Sequence, residues 1–285
     1  MASTVRSKTM LVSLSISRWG NRKQDKTAAA KIAKQSNVAP GRINASKKLV
    51  DPALLKPINI IYTLATQYHY ASTLPWQNQG VRIIPTRKFL EWSTEMKGLK
   101  ADFERAVFTF TETYDKKIKE AEESLGDLFN RDDYPTTERL KDKYSFSTSM
   151  SQVPASADFR VDLPQEAIDE IRAKMEVDQL NAHDIAKKEL WGRIDATVSD
   201  LYQILINEDA RVHNTTVNTK ITSLLEQLTD LNYDDDPKIR DMHTLISAKL
   251  KGLSRDQIKE SKTYRDQATK NAEDIFERMK FLMNN

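Results

Sequence analysis

The chain has 285 residues and no cysteine, and its 44 basic and 41 acidic side chains give a formal net charge of +3. Without cysteine it has no disulfides, thiolate metal sites or cysteine nucleophile. Seven glycines and nine prolines exclude collagen-like and linker-like chains, and no apolar run reaches the roughly 18 residues of a membrane span.

Positive charge is concentrated at the N-terminus. Residues 1–50 hold eleven basic side chains and one acid, Asp25, whereas the rest of the chain holds 33 basic and 40 acidic side chains. Such an arm is attracted to phosphate-rich polymers or to an acidic protein surface, or it folds back on the acidic remainder of its own chain. Its serine-rich composition also fits a transit peptide, but lysine outnumbers arginine and the apolar period is two, so we expect a cytoplasmic protein.

The first elements are predicted within this basic region. Apolar residues alternate with serine over Val12–Ile16, which predicts a half-buried strand. A basic turn, Arg18–Lys23, and an alanine-rich helix, Thr27–Lys34, follow. Residues 1–9 show no pattern and are predicted to be disordered, which makes Met10 an alternative start of translation.

A helix and a strand are predicted between residues 51 and 84. Asp51 followed by Pro52 is typical of a helix start, and the helix is predicted to reach about Ser72. Thr73–Gly80 is predicted to be a loop and Val81–Ile84 a short strand.

The clearest pattern is an apolar stripe from Phe89 to Leu128. Its members recur every three or four residues, about 3.55 on average, which is the period of a helix paired in a left-handed supercoil. We predict one helix of about 40 residues, or about 60 Å, that needs a partner helix along its length. Gly126 marks a weak point near its end.

Tyr134 and Pro135 end this pattern. Thr137–Lys143 is predicted to form one or two helical turns, and Ser145–Val153 and Phe159–Leu163 are predicted strands. We expect these strands to join the two earlier ones in one small, mostly antiparallel sheet.

Helices occupy the C-terminal part. Pro164 opens a second long helix to about Asn214, which we expect to pair with the first as a long antiparallel hairpin. Three further helices are predicted at Val217–Leu231, Met242–Leu253 and Asp256–Met283. The predicted fold is α+β and predominantly helical, with a coiled-coil-like hairpin, a small antiparallel sheet and a C-terminal helical bundle.

The expected organisation is one elongated domain built from residues 10–163 and 164–285. Apolar stripes that are not covered within the chain must be covered by another chain. We therefore expect a homo-oligomer.

The sequence lacks the patterns of common catalytic sites. It has no phosphate-binding glycine loop, no H-E-x-x-H and no G-x-S-x-G, and no histidine has another three or four residues away. Asp234–Asp236 offers oxygens to a divalent cation, but it lacks the EF-hand spacing and also fits a turn that caps the next helix. We expect no enzyme, no cofactor and no metal.

A basic stretch that contains an aromatic residue is the strongest candidate for binding. Cations neutralise phosphates and an exposed indole stacks on an unpaired base, although Trp19 also fits a core position at the end of a strand. The predicted nucleic-acid-binding residues of this stretch are Arg18, Trp19, Arg22, Lys23, Lys26, Lys47 and Lys48. Trp76 and Arg82, in a segment that is either a packed corner or a binding loop, complete the prediction.

Several segments carry a resemblance to a known family. They are Leu11–Lys26, Leu74–Trp76 with Gly80 and Arg82–Pro85, Phe129–Pro135, and Asp158–Val161. Together they resemble a domain-of-unknown-function family of uncharacterised tailed-bacteriophage proteins, over roughly residues 10–235. The resemblance implies a phage protein made in the host cytoplasm and absent from the virion, and it implies no active site. Some relatives of this kind are encoded near phage replication and recombination genes, and others beside MoxR-type AAA+ ATPases and von Willebrand A proteins.

Two functions are therefore expected. The first is a non-enzymatic protein that binds nucleic acid, single-stranded DNA included, through its basic N-terminal region and assists phage DNA replication or recombination. The second is a helical adaptor or scaffold that binds another protein, such as a MoxR-type AAA+ ATPase. Neither involves a membrane.

Overall fold

The structure is a computed structural model that describes residues 6–39, 41–76, 80–155, 163–207 and 214–284. Its contacts divide the chain into two compact units. Unit 1 comprises Met1–Ser13, His69–Trp92 and Ser149–Asn285, and unit 2 comprises Leu14–Tyr68 and Ser93–Thr148. Unit 1 thus draws on three stretches of sequence and unit 2 on two.

The predominantly helical α+β fold is confirmed. The strands are β1 (Thr9–Ser17), β2 (Arg22–Gln24), β3 (Ser46–Lys48), β4 (Leu74–Pro75), β5 (Arg82–Pro85) and β6 (Ser145–Ser151). The helices are α1 (Lys26–Gln35), α2 (Lys56–Ala71), α3 (Thr86–Glu112), α4 (Tyr114–Leu125), α5 (Thr137–Lys141), α6 (Gln165–Ile206), α7 (Asn214–Leu231), α8 (Pro237–Leu250), α9 (Arg255–Glu260) and α10 (Lys262–Asn284). Short 3-10 turns lie at Pro52–Leu55, Gly126–Leu128 and Arg131–Asp133. None of the described helices is both long and apolar enough to cross a lipid bilayer.

Four strands form the small antiparallel sheet, in the order β4-β5-β1-β6. Leu11 of β1 pairs with Ile83 of β5, and both side chains are buried. The sheet predicted from alternating residues is confirmed, and it gains β4 from the segment Thr73–Gly80, which was wrongly predicted to be a loop throughout. The predicted strand at Phe159–Leu163 lies almost entirely outside the described residues.

The first long helix is interrupted, contrary to the prediction. Thr113 separates α3 from α4, because its backbone N–H donates to the carbonyl oxygen of Phe110, three residues back, at 3.2 Å. The hydroxyls of Thr109, Thr111 and Thr113 all donate to backbone carbonyls of the preceding turn, and such bonds favour a bend. Gly126, with a φ of +50°, then ends α4, as the sequence indicated.

The second long helix, α6, finds its partners within unit 1. Its fully buried positions begin at Ala182, and it packs against α7 and α10. Lys220 of α7 lies 2.7 Å from Asp200, and Gln227 of α7 accepts a hydrogen bond from Arg193 at 2.7 Å, so α6 and α7 are antiparallel. The helical hairpin is therefore formed by α6 and α7. The partner predicted for α6 was the helix that begins near Phe89, most of which belongs to unit 2.

Two more helices complete the predicted C-terminal bundle. α10 packs on α8, and Arg278 of α10 lies 2.9 Å from Asp241 of α8. The predicted last helix is divided at Ser261, which leaves helical geometry and separates α9 from α10. Apolar side chains at most 2% exposed fill the bundle, among them Val198, Ile221, Ile246 and Ile275.

Candidate functional site

Unit 2 contains a cavity of about 480 Å³ beside the turn that follows β1. We call it the basic cavity, because three cationic side chains and no carboxylate stand among the described residues that line it. The side chains that define its chemistry are Arg18, Trp19, Arg22, Lys48, Asn59 and Tyr62.

Asn21 anchors the turn that forms one wall. Its φ of +49° is unusual for a residue other than glycine, and asparagine tolerates it best. The Asn21 side chain donates from Nδ2 to the Val50 carbonyl oxygen and accepts from the Val50 backbone N–H, both at 2.8 Å. Because both residues are buried, this two-way hydrogen bond fixes the turn against the end of β3.

The small sheet of β2 and β3 places cations opposite cations. Arg22 pairs with Lys48, and Lys23 pairs with Lys47, in antiparallel register. Successive side chains of a strand point to opposite faces, so the two pairs lie on opposite faces of the hairpin. Like charges directly opposite each other are unfavourable.

Asp133 neutralises the Lys23–Lys47 pair. Its carboxylate lies 2.8 Å from Nζ of Lys47 and 3.5 Å from Nζ of Lys23. The hydrogen bond from Lys47 is the main reason why the pKa of the Asp133 carboxyl is lower than usual. Lys47 also donates to the backbone carbonyl of Leu128. This face of the hairpin is therefore compensated within unit 2.

The Arg22–Lys48 face is different. In the part of the chain that the structure describes, no carboxylate lies within 4.0 Å of Arg22, Lys48 or Arg18. Arg18 instead donates from Nη1 to Oδ1 of Asn59 at 2.5 Å, and its guanidinium carbon lies 3.4 Å from the centre of the Tyr62 ring. The basic cavity therefore concentrates positive charge that would favour a phosphate or a similar anion.

Trp19 is half-buried beside these cations. Its indole stacks on Phe110, with ring centroids 6.2 Å apart, and meets Tyr114 edge-on at 5.8 Å. Trp19 is therefore a packing residue in part, as one of the two interpretations expected, and its remaining surface lines the basic cavity.

The other predicted binding residues lie elsewhere. Lys26 is exposed in the first turn of α1, outside the cavity lining. Trp76 and Arg82 belong to unit 1 and are only 3% and 8% exposed, and Arg82 donates from Nε to the Thr73 hydroxyl at 2.6 Å. Base stacking and phosphate binding require accessible surface, so we leave Trp76 and Arg82 out of the candidate site.

Sequence reasoning missed Asn59 and Tyr62 of α2. They lie three residues apart, a spacing that puts two side chains on one helix face, and this was visible in the sequence. Nothing connected that face to Arg18, because the Arg18–Asn59 hydrogen bond joins residues 41 positions apart.

The Asp234–Asp236 turn of unit 1 is closed by lysines. Lys187 lies 2.7 and 2.9 Å from the first and third carboxylates, and Lys8 lies 2.7 Å from the second. The third carboxylate also caps the N-terminus of α8, as one interpretation of the sequence expected. Among the described residues, no group of three or more histidine, aspartate or glutamate side chains is arranged to hold a metal ion.

Two histidines of unit 1 are kept neutral. Burial, and then the charge of Arg82, lower the pKa of His69 to about 4. Burial also lowers the pKa of His183, whose Nδ1 lies 2.8 Å from the Tyr233 hydroxyl. Both histidines therefore pack as uncharged side chains near neutral pH.

The comparisons with known proteins give a family. The family model described as Protein of unknown function (DUF3150) matches residues 7–268. The chain belongs to this family. The match spans the basic cavity and most of the C-terminal bundle, and it confirms that the resemblance noted in the sequence is to a family of unknown function. No curated protein and no solved structure matches the chain.

Proposed function

We propose that this member of the DUF3150 family is a non-enzymatic protein that binds nucleic acid through the basic cavity. The observation that carries the proposal is the set of three cations, Arg18, Arg22 and Lys48, in a cavity with no carboxylate among its described lining residues. A nucleic acid carries a phosphate at every nucleotide, and such a cluster of cations attracts these phosphates.

The hairpin itself supports a role for an external anion. On one face, Asp133 relieves the repulsion between Lys23 and Lys47. On the other face, Arg22 and Lys48 face each other without a described carboxylate nearby. A fold keeps an unfavourable pair of this kind where function requires it, and a bound phosphate supplies the missing negative charge.

The biological setting of the proposal is phage DNA replication or recombination in the host cytoplasm. Its support is the resemblance to tailed-bacteriophage proteins, some of whose relatives are encoded near replication and recombination genes. The concentration of positive charge in residues 1–50 agrees with a DNA-binding role.

The test is fluorescence anisotropy of a labelled oligonucleotide, titrated with the full chain at about 50 and about 200 mM salt. Three phosphate contacts on a single strand predict a slope of log affinity against log salt of about −2. The Arg22→Gln/Lys48→Gln double variant should weaken binding at least about tenfold and reduce that slope by about 1.4.

A matched control removes the same charge elsewhere in the basic region. Lys31 and Lys34 are exposed on α1, outside the lining of the basic cavity, and the Lys31→Gln/Lys34→Gln variant should retain most of the affinity. Equal losses in the two variants would assign binding to general charge rather than to the cavity. Failure of the wild-type chain to bind any oligonucleotide would reject the proposal.

A second candidate function, a helical adaptor, is favoured by the N-terminal half of α6. In Gln165–Asn181 no side chain is fully buried, and Val177 and Leu180 are 55% and 66% exposed. An apolar helix face of this kind fits a partner protein, for which a MoxR-type AAA+ ATPase is our proposal, or a second copy of the chain.

The adaptor function is tested by recovery of an ATPase with the tagged chain after nuclease treatment. A Val177→Asp/Leu180→Asp variant should lose that ATPase while it keeps oligonucleotide binding. If the variant changes only the molar mass measured by light scattering, the face joins copies of the chain, and the adaptor function is rejected for this surface.

A further inference from the structure

An apolar groove of about 530 Å³ lies on unit 2, on the N-terminal part of α2. It is lined by Lys56, Ile60, Thr63 and Leu64, together with Pro52 and Asn59. The last two residues also line the basic cavity, so the apolar groove and the basic cavity are continuous.

Two aliphatic side chains of α2 form the apolar part of the groove. Ile60 and Leu64 lie four residues apart, on one helix face, and are 48% and 50% exposed. Ile58 and Ala65 of the same helix are almost completely buried, so α2 packs through another face. Two large aliphatic residues exposed together, next to a charged cavity, indicate a surface that contacts a ligand.

Arg18 and Asn59 stand at the junction of the two surfaces. The hydrogen bond from Arg18 to Asn59 and the contact with Tyr62 hold the guanidinium in one place before any ligand arrives. A fixed guanidinium is a platform on which an unpaired base stacks, and its prior ordering reduces the entropy lost on binding.

We infer that the basic cavity and the apolar groove together select single-stranded over duplex nucleic acid. This inference rests on the proposed function and names its substrate class. The phosphates of the strand lie in the basic cavity, and the next unpaired bases lie against Arg18, Ile60 and Leu64.

The geometry favours a single strand for a simple reason. A duplex presents phosphates on its outside, but its base faces are stacked inside and only base edges are open in the grooves. An unpaired strand presents both a phosphate and the face of a base to one concave site. From Asn59 to Leu64 the helix rises about 7.5 Å, which is room for about two bases at 3.4 Å each.

The positive charge beside the groove favours a nucleic-acid strand over a purely apolar ligand. Lys56 lies in the groove and three more cations line the adjoining basic cavity, so a ligand that combines negative charge with apolar surface fits both. A single strand does so at every nucleotide. A partner peptide with acidic and apolar residues is the other ligand of this character, and the experiment below excludes or reveals it.

The experiment measures the anisotropy of one labelled oligonucleotide, single-stranded and annealed to its complement, with the full chain. The wild type should bind the single strand at least about tenfold more tightly than the duplex. The Ile60→Ser/Leu64→Ser variant should lose about tenfold in affinity for the single strand. Its affinity for the duplex and its salt dependence should stay unchanged, because the phosphate contacts remain.

Leu90→Ser is the control, since it removes a leucine that is 74% exposed from α3 in unit 1. It should leave both affinities unchanged. Because Ile60 and Leu64 are about half exposed, the groove variant should keep the melting temperature of the wild type. If it does not, Leu64→Gln alone provides the same comparison with less loss of apolar contact.

The outcomes distinguish the inference from the proposed function. Equal affinity for single strand and duplex, or an unchanged single-strand affinity in the groove variant, overturns the inference and leaves the basic cavity as the nucleic-acid site. Binding to neither oligonucleotide overturns both. In that case a labelled peptide that alternates glutamate with leucine identifies the peptide as the ligand if its binding is lost in the groove variant.

Discussion

In unit 1, three consecutive aspartates lie in one turn, and in unit 2, three cations line one cavity. The aspartates are all paired with lysines from other parts of unit 1, and the third of them caps α8. The cations of the basic cavity have no described carboxylate within 4.0 Å. Clustered charge is thus part of the fold in the acidic turn, whereas in the basic cavity it remains available to a ligand.

Arg193 of unit 1 is likewise paired within the fold. Arg193 donates to the backbone carbonyl oxygens of Tyr70, Ala71 and Thr73 at 2.8, 3.2 and 2.8 Å. These carbonyls lie at or just beyond the C-terminal end of α2, where a cation is stabilising. Changes to the charges of unit 1 should therefore alter stability, and changes to the basic cavity should mainly alter binding.

The largest effect is expected from pH at His69. Its pKa is about 4 in the fold and 6.5 in the unfolded chain, so the unfolded chain binds more protons between those values. Stability must therefore fall as the pH drops from about 6.5 to about 4, by about 3 kcal/mol in total from this residue. Urea unfolding of wild type and His69→Gln at pH 7 and at about pH 4.5 measures the difference.

The variant should lose much less stability than the wild type between those two pH values. The lowered pKa of His183 adds a slope of the same sign to both proteins, which cancels in the difference. Identical pH dependence in the two proteins would mean that His69 is not held neutral by burial beside Arg82.

A smaller effect is expected at Lys187, which bridges two carboxylates of the acidic turn. The Lys187→Met variant leaves those carboxylates without their cation. The free energy of unfolding should fall by about 2 kcal/mol at neutral pH, because the ion pairs are only partly exposed to solvent. Burial alone would raise the pKa of Asp236, but the hydrogen bond from Lys187 helps to hold it below its usual value. The stability that Lys187 contributes is therefore present above about pH 4 and is lost as acid protonates the turn.

Lys188 provides the control on the same helix. It is exposed, and Lys188→Met should change the free energy of unfolding by less than about 0.5 kcal/mol. Equal effects of the two substitutions would show that the acidic turn does not depend on its lysine.

Sequence periodicity predicted the helices and strands of this fold better than it predicted which of them pack together. The alternation in Val12–Ile16 and the apolar stripe of α6 each require a covered face, and the structure covers Val12 and the stripe of α6 from Ala182 onward. The stripe from Phe89 to Leu128 continues in phase across Thr113, so the break between α3 and α4 left no trace in the pattern. A stripe also shows that a helix face is covered without showing by which helix, which is why α6 was assigned the wrong partner.

The candidate site was only partly predicted, because a sequence pattern does not show which distant residues come together. Arg18, Trp19, Arg22 and Lys48 were recognisable as cations around an aromatic residue. Their separation from Lys23 and Lys47 depends on the β2–β3 register, and strands of three polar residues each carry no hydrophobic alternation. Asp133, which decides which lysines are neutralised, is more than 80 residues away along the chain.

The smallest effect on stability is expected in the β2–β3 hairpin, and there one substitution should stabilise the fold. Lys48→Gln removes one of two like charges that face each other, so it should raise the free energy of unfolding by about 0.5 kcal/mol while it weakens binding of nucleic acid. Lys47→Gln, one residue earlier, removes the hydrogen bond and ion pair to Asp133 and should lower the free energy of unfolding. The same substitution at adjacent positions is thus expected to act in opposite directions, which chemical denaturation of the two variants measures directly. If Lys48→Gln destabilises the fold as Lys47→Gln does, the charge of Lys48 contributes to the fold as the charges of the acidic turn do. The support that the proposed function draws from unrelieved repulsion in the hairpin is then lost.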